Sequence, residues 1–248
     1  MAAAYEQFRP GYPDEIVHRV LTYARRPVMT ALEVGAGTGK ATRVFARRGM
    51  ALTATEPDRA MLAELRKHVP DTVVTLCAPF EALPLTPTYD LIFAAASMHW
   101  TRADQRWSRV AAMLEPKGIF ASFGGPLNLQ DPALEAAVRA ARTPFLADDD
   151  VPSPDGTPSQ SPLQWPGTEL LASGMFVDVV QTVVERRMTM TAPDYVGLLS
   201  TISAYLELPL PARTTVLTRV LDVLPARVAL VGDITLHLAR NASGTGAG

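Results

Sequence analysis

The chain has 248 residues, 48% hydrophobic and 19% charged, enough for one large α/β domain or for one domain with a small appended cap. Lys and Arg total 23 against 25 Asp and Glu, a net charge of −2, so there is no global positive field to draw nucleic acid or an anionic membrane. One cysteine, Cys77, excludes an intramolecular disulfide and a cysteine-based zinc site; no run of about 18 apolar residues offers a membrane span, and the start MAAAYEQFRPGYP lacks the features of a signal peptide, so the expected location is the cytoplasm.

Residues 28–34 read as a buried strand that ends in a glycine cluster. A helix carrying Val44 and Phe45 follows. Then come a strand at 51–56, a helix at 58–68, strands at 72–77 and 89–96, a helix at 103–114 and a strand at 118–123. Continuous apolar strands separated by helices imply a parallel sheet covered on both faces, joined by right-handed crossovers. Past Gly125 a helix is expected at 131–145, with Asp131 as N-cap and Pro132 at its first position. The stretch 148–166 is polar and proline-rich and reads as a mobile loop or lid edge, or as a loop ordered only by ligand, expected to gate the acceptor site. A strand at 176–185 precedes helices at 193–206 and 213–224, the second with Val216, Leu217, Val220, Leu221 and Leu224 on one face. Residues 228–239 read as one closing strand. The tail at 243–248 is small and flexible in composition.

Chemistry concentrates in Glu33-Val34-Gly35-Ala36-Gly37-Thr38-Gly39. Glycines here let the chain turn tightly and let a ligand touch backbone, at the strand-to-helix position where doubly wound sheets bind nucleotide-like molecules. Glu56 ends the next strand about twenty residues on, where an acid can accept hydrogen bonds from both hydroxyls of a ribose. A P-loop fails because Ala41 follows Gly39-Lys40 and Val34 stands where its first glycine belongs. A dinucleotide loop fits poorly because Lys40 occupies the place of its last glycine. Glu33, just before the glycines, suits an ammonium or sulfonium better than a pyrophosphate.

This segment resembles the first motif of class I S-adenosylmethionine (SAM)-dependent methyltransferases. Thr55-Glu56-Pro57-Asp58 resembles their second-strand motif. Phe80-Glu81-Ala82-Leu83-Pro84 resembles the Ala-Glu-x-Leu-Pro segment that lies against the adenine, with Phe80 in place of the usual alanine. Tyr89-Asp90-Leu91-Ile92-Phe93 and Leu114-Glu115-Pro116-Lys117-Gly118 are similar to the fourth strand and the turn into the fifth. Arg9-Pro10-Gly11-Tyr12-Pro13 and Ser97-Met98-His99-Trp100 resemble a bacterial branch related to the trans-aconitate methyltransferases. The likeness covers residues 5–124.

It implies a Rossmann-like α/β fold: a doubly wound, seven-stranded, mostly parallel sheet with a partly helical cap from insertions after the fifth and sixth strands. Residues 1–248 would form one domain, with a cofactor-binding half at 26–125 and cap insertions within 126–227. The implied cofactor is SAM, held by Tyr5, Glu33, Gly35, Ala36, Gly37, Thr38, Gly39, Glu56, Pro57, Phe80, Glu81 and Ala95. Phe80 fits an adenine contact or a place in the core equally, Glu81 fits a backbone role or a plain surface one, and Tyr5 and Tyr12 fit a ligand entrance or packing. The fourth-strand edge would face the transferring methyl, which makes His99 a candidate general base or positioning group; a packed histidine fits the same position, and Trp100 reads as packing.

Asp148, Asp149 and Asp150 read as a solvated run, and His18, His68 and His237 lack metal-ligand spacing, so no metal is expected. The expected acceptor is a small molecule, under an apolar cap from residues 126–175 and 193–225, with no nucleic-acid or membrane partner and a monomer or homodimer as the working form. The alternative is a protein of the same fold that binds the cofactor without methylating.

Overall fold

The computed structural model describes residues 1–146, 153–158 and 160–243. Asp148–Asp150 lie outside them, as do part of the expected gating loop and most of the tail. In chain order the elements are α1 (Ala2–Phe8), α2 (Asp14–Ala24), β1 (Thr30–Val34), α3 (Thr42–Ala46), β2 (Ala51–Thr55), α4 (Arg59–Leu65), β3 (Val74–Leu76), β4 (Tyr89–Ala95), α5 (Arg106–Met113) and β5 (Leu114–Gly124). There follow β6 (Asn128–Leu129), α6 (Pro132–Arg142), α7 (Gly167–Ala172), β7 (Phe176–Val184), β8 (Arg187–Thr191), α8 (Ala192–Leu199), α9 (Ser203–Leu206), α10 (Leu210–Val223), β9 (Arg227–Val231) and β10 (Ile234–Asn241). Two compact units result. One comprises Gly11–Gly124, Ser153–Val184 and Thr235–Gly248; the other comprises Met1–Pro10, Gly125–Pro152 and Glu185–Ile234.

The first unit is built on a seven-stranded sheet in the order β3-β2-β1-β4-β5-β10-β7. β1 pairs in parallel with both β2 and β4, and β4 with β5, whereas β10 runs antiparallel to β5. The chain leaves β1 for one neighbour and returns on its other side, so the carboxyl ends of β1 and β4 border a switch point where such sheets take ligands. Both faces are covered, which explains the unbroken apolar strands. On one face Phe45 of α3 stacks on Phe93 of β4 at 4.0 Å between centroids and lies 6.0 Å from Phe123 of β5, with Tyr12 edge-on to Phe123. This stack pins α3, and with it the loop that leads into α3. Leu32, Val34, Phe80, Ile92, Trp107, Phe120 and Phe176 belong to a second buried cluster.

The second unit carries a three-stranded antiparallel sheet, β6-β9-β8. Its core includes Leu129, Val138, Tyr195, Leu198, Tyr205, Val216, Val220 and Leu230. α1 docks on α8 because Gly197 leaves room for a ring: a Cβ there would stand 2.5 Å from the Phe8 ring. Arg9 secures the contact, its Nε donating to Thr201 Oγ1 at 2.8 Å.

Several local expectations change. The closing strand at 228–239 is two strands in two sheets, broken at Gly232, where a Cβ would lie 2.1 Å from the Pro126 carbonyl oxygen. The helix at 193–206 is divided into α8 and α9 at Thr201, whose hydroxyl donates to the Leu198 carbonyl oxygen. α1, α2, α7, β6 and β8 were not expected. α2 had a readable signal, since Ile16, Val17, Val20 and Ala24 share its buried face after Asp14 and Glu15 in the first turn.

Candidate functional site

The loop after β1 takes its shape from backbone that only glycine adopts cheaply. Gly35, Gly37 and Gly39 have φ of +66°, +58° and +86°. At Gly35 a side chain is excluded sterically as well, because a Cβ would lie 2.6 Å from Ser97 Cβ. At Gly37 nothing lies within 4 Å of that position, so the backbone there faces open space. The Ala36 amide donates to the Thr55 carbonyl oxygen at 2.8 Å, and the Gly39 amide to the Ala36 carbonyl oxygen at 2.9 Å. The loop is thereby tied to the end of β2.

Glu56 completes the tie. One carboxylate oxygen accepts from the Gly37 amide at 2.8 Å, the other from the Asp58 amide at 2.9 Å. Asp58 in turn caps α4, accepting from the Ala60 and Met61 amides. Each Glu56 oxygen keeps a further lone pair, so the carboxylate can still accept two hydroxyls. Pro57 is exposed beside it.

Glu33 lies under the loop with no exposed surface. Its Oε2 accepts from Thr42 Oγ1 at 2.6 Å, while Oε1 and the buried hydroxyl of Thr38 have no hydrogen-bonding partner among the described residues. Burial pushes the Glu33 carboxyl up to about 8; the Thr42 hydroxyl opposes this and the Glu56 charge adds to it. Buried polar atoms without partners are rare in native proteins. Two of them beside one glycine loop mark a place that fits a polar, cationic ligand group.

The opposite bank follows β4. Ala95 ends the strand half-buried, and Ala96 turns it with φ +53°. Ser97 donates to the Val34 carbonyl oxygen, which locks this bank against the glycine loop. A one-turn 3-10 helix, Met98–Trp100, comes next. Met98 is buried and His99 half-buried, but Trp100 is 72% exposed, which corrects the expected packing role of Trp100: the turn's buried side is filled by Met98. Burial, then the Arg106 guanidinium, holds the His99 imidazole below its ordinary pKa. Phe80 lies in the core with the Arg109 guanidinium over its ring at 5.6 Å, so any part it takes in binding falls to its backbone. Glu81 accepts from the Arg102 amide at 2.6 Å and braces the same bank.

Tyr5 belongs to the other unit, on α1, where the Arg9 guanidinium sits 5.4 Å over its ring. Sequence reasoning passed over Thr42 and the Arg106–Glu169 ion pair, and it gave Ser97 no role apart from its motif. Thr42 had a signal, a hydroxyl one helical turn past the loop. The partner of Arg106 lies 63 residues away, and nothing local announces it. Among the described residues no group of three His, Cys, Asp or Glu is placed to hold a metal ion, and no helix is long and apolar enough to cross a membrane.

Comparison with known proteins finds relatives over most of the chain. Residues 32–122 match the model of the methyltransferase domain family. An uncharacterised methyltransferase of Mycobacterium tuberculosis is 30% identical over 236 residues, covering 95% of this chain and 88% of the relative. A trans-aconitate 2-methyltransferase of Delftia acidovorans is 33% identical over 150 residues, covering 56% of this chain and 50% of its own. Among solved structures, a protein of Anaeromyxobacter dehalogenans provisionally described as a type II methyltransferase superposes with a TM-score of 0.62 at 22% identity, covering 94% of this chain and 98% of its own.

Proposed function

Because this chain belongs to the SAM-dependent methyltransferases, we propose that it transfers the methyl group of SAM to a small-molecule acceptor. The observation that carries this reading is the loop of residues 35–39 with its two carboxylates, Glu56 hydrogen-bonded to it and Glu33 buried under it with one oxygen unpartnered. The residues fit the cofactor. The half-buried backbone at Gly37, with open space beside it, would meet it, the Glu56 carboxylate would accept from its ribose, and Glu33 would favour its cationic amino-acid end. A cation brought against Glu33 stabilises the ionised carboxylate and draws its pKa down from about 8, so binding releases a proton near neutral pH.

When bound, SAM supplies a methyl group already activated by its sulfonium. The chain must then hold an acceptor atom at about 3 Å from that carbon and in line, and exclude water. Residues 95–100 supply the nearest material, since Ser97 fixes them against Gly35. A small acceptor suits the absence of any net positive charge to engage a nucleic acid, and the relative named as a trans-aconitate 2-methyltransferase supports it.

The test is turnover of SAM to S-adenosylhomocysteine with a panel of small metabolites, set beside a panel of DNA, RNA and protein substrates. Acceptor-dependent product from the metabolite panel is expected. Product only from a macromolecule would contradict the reading.

A further inference from the structure

Trp100 has the most exposed large apolar side chain among the described residues. An indole left in water forgoes one of the largest burial gains any side chain offers, and here it stands at the ligand edge of the sheet. The turn that carries it is clamped at both ends. Upstream, Ser97 is bonded to the Val34 carbonyl oxygen and lies against Gly35. Downstream, Arg106 holds Thr101 twice, Nε donating to Oγ1 and Nη2 to the carbonyl oxygen, each at 2.8 Å. Arg106 is itself buried and fixed by Glu169, which also accepts from the Trp107 indole at 2.7 Å.

Between the clamps, the His99 and Trp100 rings sit 4.9 Å apart at 44°. Neither His99 nitrogen has a hydrogen-bonding partner among the described residues. Burial, then the Arg106 guanidinium, disfavours its protonated form. The buried arginine of the segment, Arg106, is engaged as described, and the exposed Arg102 pairs with the exposed Asp104 at 3.1 Å. The turn therefore offers an aromatic face and a proton acceptor, and the buried guanidinium beside it is already committed to Thr101 and Glu169 rather than to a substrate carboxylate.

From this juxtaposition we propose that the acceptor is an acidic hydroxyl on a flat unsaturated ring, a phenol or cyclic enol, whose ring lies on Trp100 and whose O–H faces His99. The proposal rests on the methyl-transfer reading above. In the step it implies, the hydroxyl proton passes to an imidazole nitrogen of His99 and an oxygen lone pair forms the new C–O bond. The S–CH₃ bond breaks with its electron pair remaining on sulfur. The products are a methyl ether, S-adenosylhomocysteine and an imidazolium that returns its proton to water.

The experiment uses the full chain saturated with S-adenosylhomocysteine and labelled on its three tryptophan indoles. The Trp100 signal is identified by its loss in Trp100→Phe. Adding 2-naphthol should shift that signal, and trans-aconitate should leave it unmoved. With SAM and a panel of phenols, Trp100→Ala should raise KM at least about tenfold with kcat within about threefold, and Trp100→Phe should recover most of KM. His99→Gln should lower kcat by about 10²–10⁴-fold with little change in KM. An unmoved Trp100 signal with 2-naphthol, or methyl transfer to trans-aconitate with none to any phenol, overturns the proposal. A parent chain that does not bind SAM defeats the methyl-transfer reading instead, so the two failures are distinguishable.

Discussion

The β1–α3 loop and the β6-β9-β8 unit put opposite demands on the sequence. In the loop three residues within five must take positive φ, and one cannot carry a side chain at all. Such constraints are local, and few sequences satisfy them. In the other unit the fold depends on short antiparallel strands whose partners lie far apart, β8 at 187–191 against β9 at 227–231 and β9 against two residues of β6. Many apolar choices satisfy that arrangement. The first region therefore specifies one loop geometry, and the second specifies chiefly its own packing.

The sharpest way to break this comparison is Gly35→Val. The substituent meets Ser97 at 2.6 Å from backbone held at φ +66°, and strain plus displacement should cost about 3 kcal/mol or more in stability. Urea unfolding should show that loss, and calorimetry should show no measurable SAM binding. Parental affinity would mean that the loop does not hold the cofactor.

This contrast explains what could be read in advance. The sheet half was legible because β1, β2, β4 and β5 are continuous apolar runs ending in recognisable turns, and because Gly35, Gly37, Gly39 and Glu56 sit within about twenty residues of one another. β8, Arg187–Thr191, was not legible, since its alternation of Met with Arg and Thr runs for only five residues. The break at Gly232 was hidden because apolar residues flank it on both sides, and only the approach of Pro126 shows that the chain changes sheets there. Within the site, Glu33 was visible as an acid in a motif, but its unpartnered oxygen is a property of packing. Trp100 was misread for the same reason: sequence shows an aromatic residue, and exposure depends on Met98 having taken the buried side.

A second effect, somewhat smaller, separates the two ends of the pH range. Glu33 is raised from 4.5 to about 8. Its contribution to stability is full below pH 4.5, where folded and unfolded chains are both protonated, and is lost as pH rises through about 8. His237, buried and bonded to Gln181 at 2.8 Å, is lowered by burial from 6.5 to about 4. Its contribution is full above pH 6.5 and is lost as pH falls through about 4. Urea unfolding of the parent should weaken by about 2 kcal/mol between pH 6.5 and pH 8, and Glu33→Gln should remove most of that slope. A parent curve that is flat over this interval would place the Glu33 pKa near its ordinary value.

The β6-β9-β8 unit gives the smallest effect on SAM binding and the most selective one. Gly197→Leu drives a side chain into the Phe8 ring, where even a Cβ would stand at 2.5 Å. Overpacking of this kind costs about 1–3 kcal/mol. The thermal midpoint should fall while SAM affinity, measured on the folded protein at lower temperature, stays within about twofold. A large loss of SAM affinity from this substitution would show that the division of labour between loop and insertion is drawn wrongly.

The central claim is that the glycine loop and Glu56 bind SAM, and calorimetry on the parent and on Glu56→Ala tests it most directly. Removing a carboxylate that accepts two ribose hydroxyls should weaken SAM binding by roughly 1–3 kcal/mol, about 5- to 150-fold, with the variant still folded. Unchanged SAM affinity in Glu56→Ala would contradict the assignment of Glu56, and tighter binding of NAD than of SAM by the parent would contradict the cofactor itself.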